Sequence, residues 1–119
     1  MTITLPDYRA QSRNKTAFAH WRSYQKFRNE VCELVAGYTG YKKHKAIENA
    51  EVTISAYYKG KRSVDTSNID DKIFVDALMH IGVLKDDDPL NNPRVIKQAF
   101  QETGENKVII TVRSLPCTK

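Results

Sequence analysis

The chain has 119 residues, 40% of them apolar and 28% charged, with 5 Gly, 4 Pro and 2 Cys. That length predicts one domain with one core, and the composition is neither disordered nor low in complexity. Formal net charge is +5, and no run approaches the ~18 apolar residues of a membrane span. Cys32 falls in a helical pattern and Cys117 near the end, so neither a disulfide framework nor a zinc site is expected. The opening Met1–Asp7 is too short and polar to act as a signal peptide. A reducing, cytoplasmic setting follows as the expectation.

Residues 2–5 are a short β-prone run, and Pro6 to Thr16 reads as a basic loop. From Ala17 to about Ala36, Phe18, Trp21, Tyr24, Val31 and Val35 recur at helical spacing, broken only by Arg28, with Gly37 as the expected stop. Arg22, Lys26 and Glu30 take the opposite face, where Lys26 and Glu30 are spaced to pair. Residues 38–50 form a basic, aromatic connection. Val52, Ile54, Ala56 and Tyr58 then alternate with Thr53, Ser55 and Tyr57 as a strand. A second helix is expected over Ile69–His80, ended by Gly82, followed by a loop over Asp86–Pro93. Val108, Ile110 and Val112 alternate through a last strand, and Thr103–Asn106 is a turn. Arg94–Glu102, with Val95, Ile96, Ala99 and Phe100, fits strand or helix alike, and the turn predicts an antiparallel hairpin with 94–102 as its first arm. The expected fold is α+β: one domain over residues 1–119, a mixed sheet with two helices in the order β-α-β-α-β-β.

Charge is divided along the chain. Residues 1–62 carry 12 Lys/Arg against 5 Asp/Glu, while residues 63–119 carry 7 against 9. Between 65 and 88 stand seven aspartates, at 65, 70, 71, 76, 86, 87 and 88, opposed only by Lys72 and Lys85. A basic surface gathers polyanions. A concentrated set of carboxylates repels phosphate unless a cation intervenes. Together they point to nucleic-acid binding with a divalent metal. Mg²⁺ takes hard oxygen ligands and keeps several waters, so two or three carboxylates from different segments suffice. Asp65 and Asp87 are the best placed by position, and Lys72 is available to balance the cluster or stabilise a transferring phosphoryl group.

Each of these residues also has a purely structural reading. Ser67-x-x-Asp70 resembles a capping box, with Ser67 or Asn68 as the cap. Asp70 and Asp71 suit the dipole of a first helical turn, Asp76 is spaced to pair with Lys72, and Asp88-Pro89 suits a turn. A calcium loop is a poor fit, since Asp70 stands where Gly is required and Asp76 where a bidentate Glu is. His20, His44 and His80 are isolated, and no P-loop, Gly-x-Gly-x-x-Gly, Gly-x-Ser-x-Gly or His-Glu-x-x-His occurs.

Three stretches occur in order: Lys61-Arg62-Ser63-Val64-Asp65-Thr66-Ser67-Asn68, Lys72-Ile73-Phe74-Val75-Asp76-Ala77-Leu78 and Gly82-Val83-Leu84-Lys85-Asp86-Asp87. This set resembles the RusA family of Holliday-junction resolvases, and Leu5-Pro6 with Ser12 and Asn14 is similar to the family's opening. The resemblance implies a small homodimeric endonuclease, of the kind often encoded by phages or prophages, that nicks four-way DNA junctions in pairs with Mg²⁺. It carries Asp65 and Asp87 to the first and late acidic positions, Asp86 to the neighbour of the latter, and Lys72 to the family lysine. Ser67 stands where the family has a second Asp, so Asp70, Asp71 or Asp86 would have to supply the missing charge. The spacing from Asn68 to Lys72 is four, against three in some members, and Val64 stands where an Arg is common.

The expectation is therefore a Mg²⁺-dependent endodeoxyribonuclease on branched DNA, with Mn²⁺ as a substitute ion and no small-molecule cofactor or membrane. Asp65, Asp87 and Lys72 are the expected catalytic residues, and Asp65, Asp87, Asp86 and Asp70 the expected metal ligands. Arg9, Arg13, Asn14, Lys15, Lys42, Lys43, Lys45, Lys61 and Arg62 are expected to contact DNA, chiefly its phosphates. Tyr41 and Tyr57 are candidates for stacking at an open junction centre, and Tyr58 suits sheet packing better. A homodimer suits a substrate with two equivalent strands, and a phage-encoded enzyme would work in the bacterial host cytoplasm. Three rivals stay open: a non-catalytic junction binder with a degraded metal site, a metal nuclease acting on RNA or flapped DNA, and a structural phage protein.

Overall fold

Alternating branched residues build the centre of the sheet. In the computed structural model, which describes residues 1–10, 21–39, 46–60, 66, 69–84 and 93–115, four strands are joined through two helices. The strands are β1 (Thr2–Pro6), β2 (Ala50–Lys59), β3 (Arg94–Thr103) and β4 (Lys107–Ser114), and the helices are α1 (Trp21–Thr39) and α2 (Lys72–His80). Val52, Ile54, Ala56 and Tyr58 of β2 point to one face and are fully buried, with Ile3 and Leu5 of β1 and Val108, Ile110 and Val112 of β4 beside them. Val31 and Val35 of α1 and Ile73, Phe74, Ala77 and Leu78 of α2 close over that face. Removing each such side chain from water contributes roughly 1.5–3 kcal/mol, so this single cluster is the main driving force of the fold. The radius of gyration, 14.1 Å, is close to the ~13.5 Å expected of a compact domain of this length. The result is one α+β domain with a mixed sheet and two helices, as the pattern predicts. No helix among the described residues is long and apolar enough to cross a membrane.

Both helices differ from expectation at an end. α1 runs through Gly37 to Thr39 instead of stopping there, and its expected first turn, Ala17–His20, lies outside the described residues, as does the side chain of Trp21. α2 starts at Lys72, not Ile69. Asp71 is its N-cap, in α-helical geometry and without a side-chain cap bond, and Asp70 precedes it. The capping role expected of Ser67 or Asn68 therefore passes to a position several residues later. The far end behaves as predicted. Gly82 takes φ +86, and the amides of Gly82 and Val83 donate to Met79 and Leu78 carbonyls at 3.1 and 2.9 Å, a Schellman closure.

The expected hairpin does not form. The sheet order is β1-β4-β2-β3. β3 pairs parallel with β2, while β4 lies on the other side of β2, antiparallel to it and to β1. The turn after Thr103 carries the chain past the end of β2 instead of back along β3. β3 and β4 are thus two strand spacings apart, about 10 Å, within the ~13 Å reach of the steps from Thr103 to Lys107. The end of β2 is bound into this passage. The Lys59 amide donates to Asn106 Oδ1 at 2.8 Å, the Glu102 amide to the Gly60 carbonyl at 2.7 Å, and Thr103 Oγ1 to the Tyr58 carbonyl at 3.1 Å.

Candidate functional site

The approach to α2 carries the described part of the acidic cluster, and three elements hold it. The core-facing Lys97 of β3 reaches up with its ammonium 3.5 Å from both the Ile69 carbonyl and Asp71 Oδ1. At the other end of the helix, the Ile47 amide, just before β2, donates to the Val83 carbonyl at 2.9 Å, and Ile47 bridges Leu84. The helix, about 13 Å long, is thus held to the sheet side near both ends.

The aspartates of this region are divided among different neighbours. Asp71 faces Lys97. Asp76 does not pair with Lys72 as its spacing allows; its Oδ2 instead accepts a 2.7 Å hydrogen bond from the Tyr24 hydroxyl of α1. Asp70 is buried, at 3% exposure. Tyr8, just after β1, packs edge-on against Phe74 with ring centres 5.9 Å apart. Burial pushes its hydroxyl up to about 12, aided by the negative charges of Glu30 and Asp70. Tyr24 is raised too, first by burial, then by its bond to Asp76 and the charges of Asp76 and Asp70, with Arg28 opposing. One buried and one half-buried phenol among carboxylates thus hold their protons above the usual range; among the described residues, no group of three His, Cys, Asp or Glu is arranged to hold a metal ion.

Of the expected catalytic, metal-binding and DNA-contacting residues, three are described. Lys72 is exposed at the first position of α2. Asp70 is buried beside the phenols and lies ahead of the helix, not on it. Arg9 lies with its guanidinium 4.8 Å above the ring of Tyr58. Tyr58 is fully buried and donates its hydroxyl to the Ala10 carbonyl at 3.1 Å, the packing role that its alternation predicts. Asp65, Asp86 and Asp87, and with them Arg13, Asn14, Lys15, Tyr41, Lys42, Lys43, Lys45, Lys61, Arg62 and Ser67, lie outside the described residues.

A second surface emerges from the strand register. On the face of the sheet opposite the helices, residues line up in rows across the strands. Phe100, Tyr57 and Lys107 form one, and Gln98, Ser55, Ile109 and Thr4 the next. Ile96, Thr53, Thr111 and Thr2 follow, then Arg94, Glu51 and Arg113. Phe100 and Tyr57 stack at 4.8 Å with 18° between their planes, and Lys107 lies 5.0 Å from the Tyr57 ring centre. Sequence reasoning singles out Tyr57 but misses Phe100, because a hairpin would have given that residue a different neighbour.

Comparison with protein-family models finds no match for the chain, and comparison with curated proteins finds none either.

Proposed function

We propose that the chain is a Mg²⁺-dependent, structure-specific endodeoxyribonuclease that nicks branched DNA as a homodimer in a bacterial cytoplasm. The observation that carries this reading is the ordered residue set from Lys61 to Asp87, basic first, then acidic on both flanks of one short helix. The anchoring of α2 supports it, since Lys97 holds Asp71 at the start of the helix and the Ile47 amide holds the Val83 carbonyl after its end. The donor chemistry supports it as well: the acidic residues between 65 and 88 are all aspartates, hard oxygen ligands suited to Mg²⁺. Asp65 and Asp87 would hold the ion, with Asp86 or Asp70 in support. When bound, the ion polarises the phosphodiester and lowers the pKa of a coordinated water. Lys72, exposed at the start of α2, is free of the core and can reach a phosphate oxygen. Arg9, Arg13, Asn14, Lys15, Lys42, Lys43, Lys45, Lys61 and Arg62 would seat the DNA arms through their phosphates.

One observation favours a second reading, a junction binder without catalysis. Ser67 stands where the family that the chain resembles has a second Asp, and Asp70, which would compensate, is buried near Tyr8 and Tyr24. A labelled four-way junction separates the two readings. With Mg²⁺ the wild-type chain nicks it in pairs; with EDTA, or in Asp87→Asn, nicking is lost while binding stays or tightens, because a carboxylate no longer repels phosphate. A wild-type chain that binds the junction but nicks it with neither Mg²⁺ nor Mn²⁺ is a binder, and the nuclease proposal fails.

A further inference from the structure

Among the described residues, the face of the sheet opposite α1 and α2 ends in a stack that is open on one side. Lys107, Tyr57 and Phe100 follow one another from β4 through β2 to β3, and β3 is last in the sheet order, so among the described residues no strand lies beyond Phe100. Phe100 is 42% exposed, although large apolar side chains of the described residues are otherwise buried or half-buried save Met1. At the other end of the same face, about 20 Å away along β2, the Arg94 and Arg113 side chains are 71% and 66% exposed. The carboxylate between them, Glu51, is only 11% exposed and lies 3.0 Å from Arg113 Nε. That end therefore presents positive charge to solvent. Near the aromatic end, Glu105 holds Lys107 at 3.1 Å. The two rows between the ends carry hydroxyls, an amide and isolated aliphatic groups, and no charge.

We infer that this face binds an unpaired strand of DNA, with one base stacked on Phe100 and backbone phosphates on Arg94 and Arg113. A planar base continues the existing ring stack, and the paired guanidiniums are complementary to a polyanion. A second protein surface is the poorer fit, because interface cores are apolar and continuous, whereas here hydroxyls interrupt every apolar row. The choice of DNA rests on the nuclease reading; the stacking itself does not. Such a strand is what a branched substrate exposes where its arms part.

Fluorescence anisotropy of labelled oligothymidylate, with EDTA present, tests the inference apart from cleavage. Wild-type protein binds it. Phe100→Ala weakens binding by about 10-fold, the usual scale for one lost stacking platform, while Phe100→Trp restores it. Arg94→Ala lowers the slope of log affinity against log salt by about 0.7, one phosphate contact on a single strand. Thermal melts confirm that the variants fold, as expected for side chains this exposed. Unchanged affinity in Phe100→Ala overturns the inference. So does tighter binding of oligouridylate, or a dimer that Phe100→Ala turns into monomer in sedimentation, which would make the face a contact between copies. Because no cleavage is read, loss of junction nicking in the other assay leaves this result standing, and the reverse holds.

Discussion

Asp70, Asp71 and Asp76 are close in the sequence and meet different surroundings in the fold. Lys97 takes Asp71, Tyr24 takes Asp76, and Asp70 is enclosed near Tyr8. The cluster of charge was legible in the sequence, but its division was not, because it depends on where α2 begins. Starting the helix at Lys72 rather than Ile69 turns Asp70 away from the helical first turn and into the interior. The phenols give this region a measurable pH dependence. Tyr8 holds its proton up to about 12 in the fold, against 10.0 for a free side chain. Between those values the unfolded chain loses a proton that the native state keeps, so stability is full below pH about 10 and falls as pH rises toward 12. The shift corresponds to roughly 2–3 kcal/mol. Urea midpoints measured from neutral to strongly alkaline pH should show that decline in the wild type and a shallower one in Tyr8→Phe; equal slopes would contradict the assignment.

At the scale of elements, β1, β2, β4 and both helices were readable from periodicity; β3, whose pattern fits strand or helix alike, was assigned through the turn after it, and its neighbour was not readable. Thr103–Asn106 carries true turn chemistry, yet a turn fixes only where the chain bends, not which strand it lies beside afterwards. Three residues are enough to cross the end of β2, and the parallel pairing of β2 with β3 is set by Val95 and Ala99 packing on the shared core. Tyr57 and Phe100 become neighbours only in that register. The passage leaves a mark in the backbone: Glu102 sits at φ 58, a left-handed conformation that costs a residue with a Cβ roughly 1–2 kcal/mol. Its amide donates to the Gly60 carbonyl and any residue but proline preserves that bond. Glu102→Gly should therefore raise stability by about 1 kcal/mol, after the entropy cost of glycine, with the midpoint of chemical unfolding as the readout. A loss of stability would show that the Glu102 side chain contributes more than its strain costs.

For the molecule as a whole, the division of charge is the feature with the longest reach. The first 62 residues are strongly basic, and the described residues place two of their arginines, Arg9 and Arg28, against aromatic or half-buried surroundings and not free in solvent. Lys26 and Lys59 are exposed, and the two densest cationic groups of the sequence are Lys42, Lys43 and Lys45, and Lys59, Lys61 and Arg62. Counterion release makes this testable without reference to contacts. Each cation that neutralises a phosphate on duplex arms adds about 0.9 to the slope of log affinity against log salt. Replacing Lys42, Lys43 and Lys45 by glutamine should lower the slope for a four-way junction by up to about 2.7, and the melting temperature should hold if the three lie on the surface. If the slope is unchanged while the fold is intact, these lysines do not touch the DNA, and the positive potential that draws it in must be assigned to the other cations of the basic half, Arg13 and Lys15 or Lys61 and Arg62, where the same measurement can be repeated.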